Sequence, residues 1–167
     1  MAAGSLSNSP RGIVGMANSG TAAYFAGGYA GGWLSAIDKL AFSADTRTTI
    51  AATLSQAKED FAGAANSGTA GYYAGGYDNT TRSSAIEKIT FSTDAKTTLG
   101  ATLATARSNN VGLAESGVAG YFAGGEAGAF IDGIDKVAFS TDTRTTLSAT
   151  LSAPKIQMAA AASSGIL

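Results

Sequence analysis

The sequence predicts an all-β array of repeated four-stranded units. Three observations carry this: a fixed repeat period, two-residue alternation inside the repeats, and turn signals too closely spaced for helices. The period shows in Ser19-Gly20-Thr21-Ala22-Ala23-Tyr24-Phe25-Ala26-Gly27-Gly28, which returns 48 residues on as Ser67-Gly68-Thr69-Ala70-Gly71-Tyr72-Tyr73-Ala74-Gly75-Gly76. It returns again 49 residues later as Ser116-Gly117-Val118-Ala119-Gly120-Tyr121-Phe122-Ala123-Gly124-Gly125. A period of this length marks an array of similar supersecondary units, so most recurring residues serve the fold. Gly, Thr and Asn-Ser-Gly punctuation arrives roughly every 8 to 14 residues, too often for stable helices.

The second copy shows each element most clearly. Phe61 to Ala65 is a short apolar run of mostly small residues, strand a, closed by the turn signal Asn66-Ser67-Gly68. Strand b, Thr69 to Ala74, carries Tyr72 and Tyr73, which favour extended backbone, and ends at Gly75-Gly76. A polar loop, Tyr77 to Ser84, leads to strand c, Ala85 to Phe91, where Ile86, Lys88 and Thr90 oppose Glu87, Ile89 and Phe91. Ser92-Thr93-Asp94-Ala95 is a tight connection, its Ser and Asp suited to local hydrogen bonds with the backbone. Strand d, Lys96 to Leu103, is rich in Thr and Leu.

The other copies read alike. Ile37-Asp38-Lys39-Leu40-Ala41-Phe42 and Ile134-Asp135-Lys136-Val137-Ala138-Phe139 repeat strand c. Arg47-Thr48-Thr49-Ile50 and Arg144-Thr145-Thr146-Leu147 open strand d, and Leu54 and Leu151 match Leu103. Met158 to Ala162 reads as a lone strand a, and Gly4 to Pro10 as the tail of a strand d. The chain divides into a partial strand (1–10), repeats at 11–58, 59–107 and 108–155, and a partial fourth repeat (156–167).

Composition narrows the function classes. The 167 residues carry a formal net charge of −1 and only 14% are charged, with no basic stripe, which argues against nucleic acid. There is no cysteine and no histidine, so disulfides, thiolate metal sites and the usual general base and nucleophile pairs are excluded. No cofactor or metal site is expected. The first ten residues lack the basic and apolar regions of a secretory signal, and no segment approaches a membrane span, so the expectation is a soluble protein or part of a soluble assembly.

The order of signals resembles the kelch motif: a basic residue (Lys58, Arg107), small residues, an aromatic (Tyr72, Tyr121), then a Gly pair (Gly75-Gly76, Gly124-Gly125). Tyr24 with Gly27-Gly28 is the first occurrence. The resemblance covers nearly the whole chain and implies four-stranded blades of a β-propeller. It departs at the later kelch tryptophan, which is missing; the one Trp, Trp33, lies in a b–c loop. The Ile-Asp-Lys and Thr-Asp-Thr-Arg-Thr-Thr words are similar to repeat proteins of phage tails and virions, which implies a virion or extracellular assembly. Propellers usually hold roughly 4–8 blades. Three blades therefore point to closure by oligomerisation or within a larger assembly, two copies supplying six blades. A stacked solenoid is the architectural alternative.

Several recurring residues have structural readings. The Gly pairs lack a following helix and a P-loop lysine, so they permit turns and close packing rather than cradle phosphate. Asp45, Asp94 and Asp142 supply one carboxylate per turn, too few for calcium, and read as turn caps beside Arg47, Lys96 or Arg144. Asp38, Glu87 and Asp135, beside Lys39, Lys88 and Lys136, read as charges paired across a solvent face or between blades.

The b–c loops diverge on this constant frame, as loops of a repeat scaffold do when they form a binding surface. Trp33, Tyr77 and Phe130 offer aromatic faces, while Asp78, Asn79 and Arg82 offer hydrogen bonds. The leading expectation is a non-enzymatic structural or adhesive component, most plausibly of a phage virion or tail, whose partners are further copies of itself or other assembly proteins. The alternative is a lectin-like module stacking a cell-surface glycan on those aromatics. A carboxylate-dependent hydrolase or lyase would need two acids converging in one cleft.

Overall fold

In the computed structural model, which describes residues 10–159, the chain is all-β and open. Twelve strands form three four-stranded antiparallel sheets in simple meander order. Blade 1 comprises β1 (Val14–Asn18), β2 (Ala22–Ala26), β3 (Ile37–Ala41) and β4 (Thr46–Thr49). Blade 2 comprises β5 (Ala62–Asn66), β6 (Ala70–Ala74), β7 (Ala85–Thr90) and β8 (Ala95–Thr102). Blade 3 comprises β9 (Val111–Glu115), β10 (Ala119–Ala123), β11 (Gly133–Ala138) and β12 (Thr143–Thr150). Gly4 to Ser9 and 160–162 of the two terminal partial strands lie outside the described residues, and Met158 and Ala159 are not in a strand.

Register repeats as faithfully as sequence. Tyr24, Tyr72 and Tyr121 pair with Lys39, Lys88 and Lys136 on the neighbouring strand. In blades 2 and 3 a bulge against the outer strand follows Ala85 and Gly133, which is how strand d runs on to Thr102 and Thr150.

The first strands β1, β5 and β9 converge side by side, and glycine makes that approach possible. A methyl group on Gly112 would lie 2.2 Å from the Gly63 carbonyl oxygen, inside any tolerable contact. The Gly pairs do a different task. Gly27 and Gly28 hold φ of 64° and 96°, and a Cβ on Gly27 would lie 2.5 Å from the carbonyl oxygen of Lys58 in the incoming segment of blade 2. They seat the linker that carries the chain to the next blade.

The core lies between blades, not within them. Met16, Tyr24, Ile37 and Leu54 of blade 1 meet Phe61, Tyr73, Ile89 and Phe91 of blade 2 in one buried cluster. Ala64, Tyr72, Ile86 and Leu103 of blade 2 meet Phe122, Val137 and Phe139 of blade 3 in a second. Alternation along each strand therefore sends successive side chains to opposite neighbours, so the middle blade is apolar on both faces. Its strand β6, Ala70–Ala74, is buried at all five positions. Among the described residues, no helix is long and apolar enough to cross a membrane.

Candidate functional site

Two ends of the array differ in chemistry. At one end lie the b–c loops and the segments entering each first strand, tied together by paired bridges Arg11–Tyr29, Glu59–Tyr77 and Ser108–Glu126. At the other lie the a–b and c–d turns.

The loop end holds every variable residue singled out in the sequence, but each loop folds back on itself. Trp33 bridges to Tyr29 and meets its ring edge-on at 4.8 Å, while the Arg11 guanidinium sits 4.8 Å from the Tyr29 ring centre. Tyr77 bridges to Arg82, whose guanidinium covers its ring at 5.7 Å, and its hydroxyl donates to the Asn79 carbonyl at 2.8 Å. Asp78 Oδ1 accepts the Thr80 and Thr81 amides at 2.9 and 2.7 Å, and these backbone donors hold its carboxyl below the usual range. Its other oxygen accepts from the Gln56 amide. Asn79 takes φ of 77° at the loop tip. Arg82 reaches across to Glu126 of blade 3. Only Phe130, 55% exposed, presents an open aromatic face. The six loop residues thus share one end of the array but sit on three hairpin tips, the second and third joined by Arg82 and Glu126.

Beneath the loops run buried ion pairs. Lys58 enters blade 2 and places Nζ 2.8 Å from Glu87 Oε2, with both side chains at or below 1% exposure. Glu87 Oε1 accepts the Ser55 amide at 2.6 Å and its hydroxyl at 2.8 Å. Burial alone would push the Glu87 carboxyl up, but the Lys58 ammonium and the Ser55 donors outweigh it, and the carboxyl sits below its ordinary value. One repeat on, Arg107 Nη2 donates to Asp135 Oδ2 at 2.7 Å and to the Phe122 carbonyl at 3.1 Å, and burial draws its guanidinium down from the ordinary value. The acids of strand c are therefore not on a solvent face. In blade 1, Pro10 stands where Lys58 and Arg107 stand, and Asp38 is met by Arg47 at 3.1 Å and Thr49 at 2.6 Å.

Two of the turn aspartates, Asp94 and Asp142, are used across blades, not as caps beside a neighbouring Arg or Lys. Asp94 accepts the Tyr24 hydroxyl at 2.7 Å and the Lys39 ammonium at 2.8 Å, both from blade 1. Asp142 accepts the Tyr72 hydroxyl and the Lys88 ammonium, each at 2.7 Å, from blade 2. Behind each clamp the tyrosine stacks on a phenylalanine of the next blade, Tyr24 on Phe91 at 5.0 Å and Tyr72 on Phe139 at 4.9 Å, both at 23°. A second ladder joins the a–b turns: the Gly68 and Gly117 amides donate to Asn18 and Asn66 at 2.8 Å. Ser19 and Ser67 amides donate to Ser67 and Ser116 hydroxyls at 3.1 and 3.2 Å. Sequence reading missed these partners, although Tyr, Lys, Asp and Phe all recur at the same period.

Two cavities lie beside these ladders and loops. A groove of about 450 Å³ runs along the converged first strands, lined by Gly15, Met16, Gly63, Ala64, Gly112 and Leu113 among others. Its walls are small and apolar, with Ser19, Ser67 and Ser116 at the turn end. A polar recess of about 250 Å³ at the loop end includes Asp60, Asn109 and Gln157, repeat-equivalent residues that each hold a left-handed backbone near 55°. Burial, then the neighbouring Glu59, raises the Asp60 carboxyl, with Arg11 opposing. No group of three or more metal-ligating side chains converges among the described residues. No family model matches the chain, and no curated protein is significantly similar to it in sequence.

Proposed function

We propose that this chain is a non-enzymatic, propeller-type scaffold that joins a larger assembly and carries its variable b–c loops at one end. The observation behind this reading is where the polar side chains go. Glu87, Asp135, Asp94 and Asp142 each face a cation that ties one segment or blade to the next. Catalysis by paired carboxylates needs two acids poised on one cleft. Here the acids of strand c lie on separate blades, 48 or 49 residues apart, each locked to its own cation.

Such a scaffold acts through shape and multivalency: weak contacts at each loop tip multiply when copies are held in fixed array. The likeness of its repeat words to phage tail repeats makes a virion or tail the assembly we put forward. The carbohydrate-binding alternative has narrower support, because Trp33 and Tyr77 are packed on Tyr29 and Arg82, leaving Phe130 as the open stacking face. A glycan array together with hydrolysis assays on the array's sugars tests the reading. The scaffold role expects neither binding nor turnover. Binding abolished by Phe130→Ala would instead establish a lectin, and turnover would establish an enzyme.

A further inference from the structure

The two blade-to-blade junctions are chemically the same junction written twice, and each end of the described array carries one half of a third. The forward half is the set Tyr24, Lys39, Ile37 and Leu54 in blade 1, and Tyr72, Lys88, Ile86 and Leu103 in blade 2. The backward half is Tyr73, Ile89, Phe91 and Asp94 in blade 2, and Phe122, Val137, Phe139 and Asp142 in blade 3. Blade 3 presents a forward half, Tyr121, Lys136, Ile134 and Leu151, and blade 1 a backward half, Phe25, Leu40, Phe42 and Asp45.

Burial marks both halves as incomplete. Ile134, Leu151 and Leu40 are half-buried where their counterparts Ile37, Leu54 and Ile89 are buried. Phe42 is 41% exposed, whereas Phe91 and Phe139 are 6% and 7%. Lys136 lies 5.8 Å from the Tyr121 ring centre, as Lys39 and Lys88 lie 5.4 and 5.5 Å from Tyr24 and Tyr72. The clamp is therefore set, with no acceptor on it among the described residues. Asp45 holds φ of 50°, the backbone of Asp94 and Asp142 at 55°, and is exposed.

We propose that blade 3 of one copy of this chain docks on blade 1 of a second, Tyr121 and Lys136 closing on Asp45 while Tyr121 stacks on Phe42. The remaining ladder positions match. Ser116 would donate to Ser19 of the second copy, and Glu115, in the place of Asn18 and Asn66, would accept the Gly20 amide. Phe130 holds the place of Arg82, which reaches the next blade, and so faces Tyr29 of the second copy. The contact is heterologous, so it closes only as a ring. Rings of whole copies have blade numbers in multiples of three, and six is the one multiple within the roughly 4–8 blades that propellers use. The assembly is a dimer with two identical junctions.

One local exchange accompanies docking. The Gly125 amide bonds the Lys155 carbonyl at 2.8 Å, as Gly28 bonds Lys58 and Gly76 bonds Arg107. Pro10 of the second copy belongs at that same position. Docking in this register therefore requires the Lys155 carbonyl to leave the Gly125 amide and Pro10 of the second copy to take its place.

This inference deepens the scaffold reading by naming the partner, and its test is blind to sugar binding or turnover, so either can fail without the other. The solution mass of the full chain is expected at twice 16.5 kDa. Asp45→Lys and Lys136→Asp each weaken association by about tenfold or more, because like charges then face each other across the junction. Mixing the two variants restores the dimer, since one junction becomes native and the other a swapped Lys–Asp pair. Circular dichroism confirms folding, with Phe42→Asp standing in if Asp45→Lys does not fold. A monomer at all concentrations, a larger oligomer, a dimer that both variants leave intact, or a mixture that stays monomeric each overturns the proposal.

Discussion

The middle blade and the first blade carry the same carboxylate position with different support. Both acids face a cation of their own outermost strand, Glu87 Lys96 and Asp38 Arg47, but Glu87 also faces Lys58, buried with it, where blade 1 has Pro10. The same contrast holds on the faces: among the described residues, blade 2 is covered on both sides and blade 1 on one. The buried linker lysine is what sets the middle blade's carboxylate apart.

The largest expected effect follows from breaking the enclosed pair. Glu87→Ala strands the Lys58 ammonium in a buried site and should cost about 3–5 kcal/mol. Asp38→Ala should cost less, about 1–3 kcal/mol, because Arg47 can turn to solvent. Urea midpoints of the two variants measure the difference, and equal losses would erase the distinction drawn above. Next comes strand approach. Gly112→Ala forces a methyl onto the Gly63 backbone and should cost about 1–3 kcal/mol. Gly100→Ala, with nothing within 4 Å of its added Cβ, should change stability by less than about 0.5 kcal/mol.

A smaller effect compares an occupied clamp with an open one. Tyr24→Phe removes the hydroxyl on Asp94 and should cost about 1 kcal/mol. Tyr121→Phe, measured at dilutions where single chains prevail, should leave the thermal midpoint unchanged. The smallest is pH dependence. The Glu87 carboxyl lies below its unfolded value, so its contribution is present above the unfolded pKa and is lost as pH falls through the depressed folded one. Thermal midpoints should decline in that acid window, and Glu87→Gln should flatten the decline. Lys39 runs the other way: its hydrogen bond to the Asp94 carboxylate raises it, so its share persists below the free-lysine value and fades as alkaline pH passes the raised one.

Strand identity was legible in the sequence nearly to the residue. The run Ala85 to Phe91 reads as a strand by alternation and folds as Ala85–Thr90. Periodicity marks equivalence, however, and equivalence is not proximity. Asp94 recurs with Asp45 and Asp142, yet its partners Tyr24 and Lys39 sit 70 and 55 residues away on another blade. The packing of the loops was hidden for a different reason. Trp33 and Tyr77 stood out because the b–c loops diverge on a constant frame, but divergence does not show that Trp33 packs on Tyr29 or that Arg82 covers Tyr77.

The two-sided repeat has a consequence for the gene. Each 48- or 49-residue unit encodes a tyrosine–lysine pair for its successor and a phenylalanine–aspartate pair for its predecessor. Unequal recombination between units would therefore delete or duplicate a blade while leaving every surviving neighbour chemically matched. Loop variants would travel less freely, since Asp78 meets Gln56 of the preceding unit and Arg82 meets Glu126 of the next. Copy number can drift without inventing a new clamp.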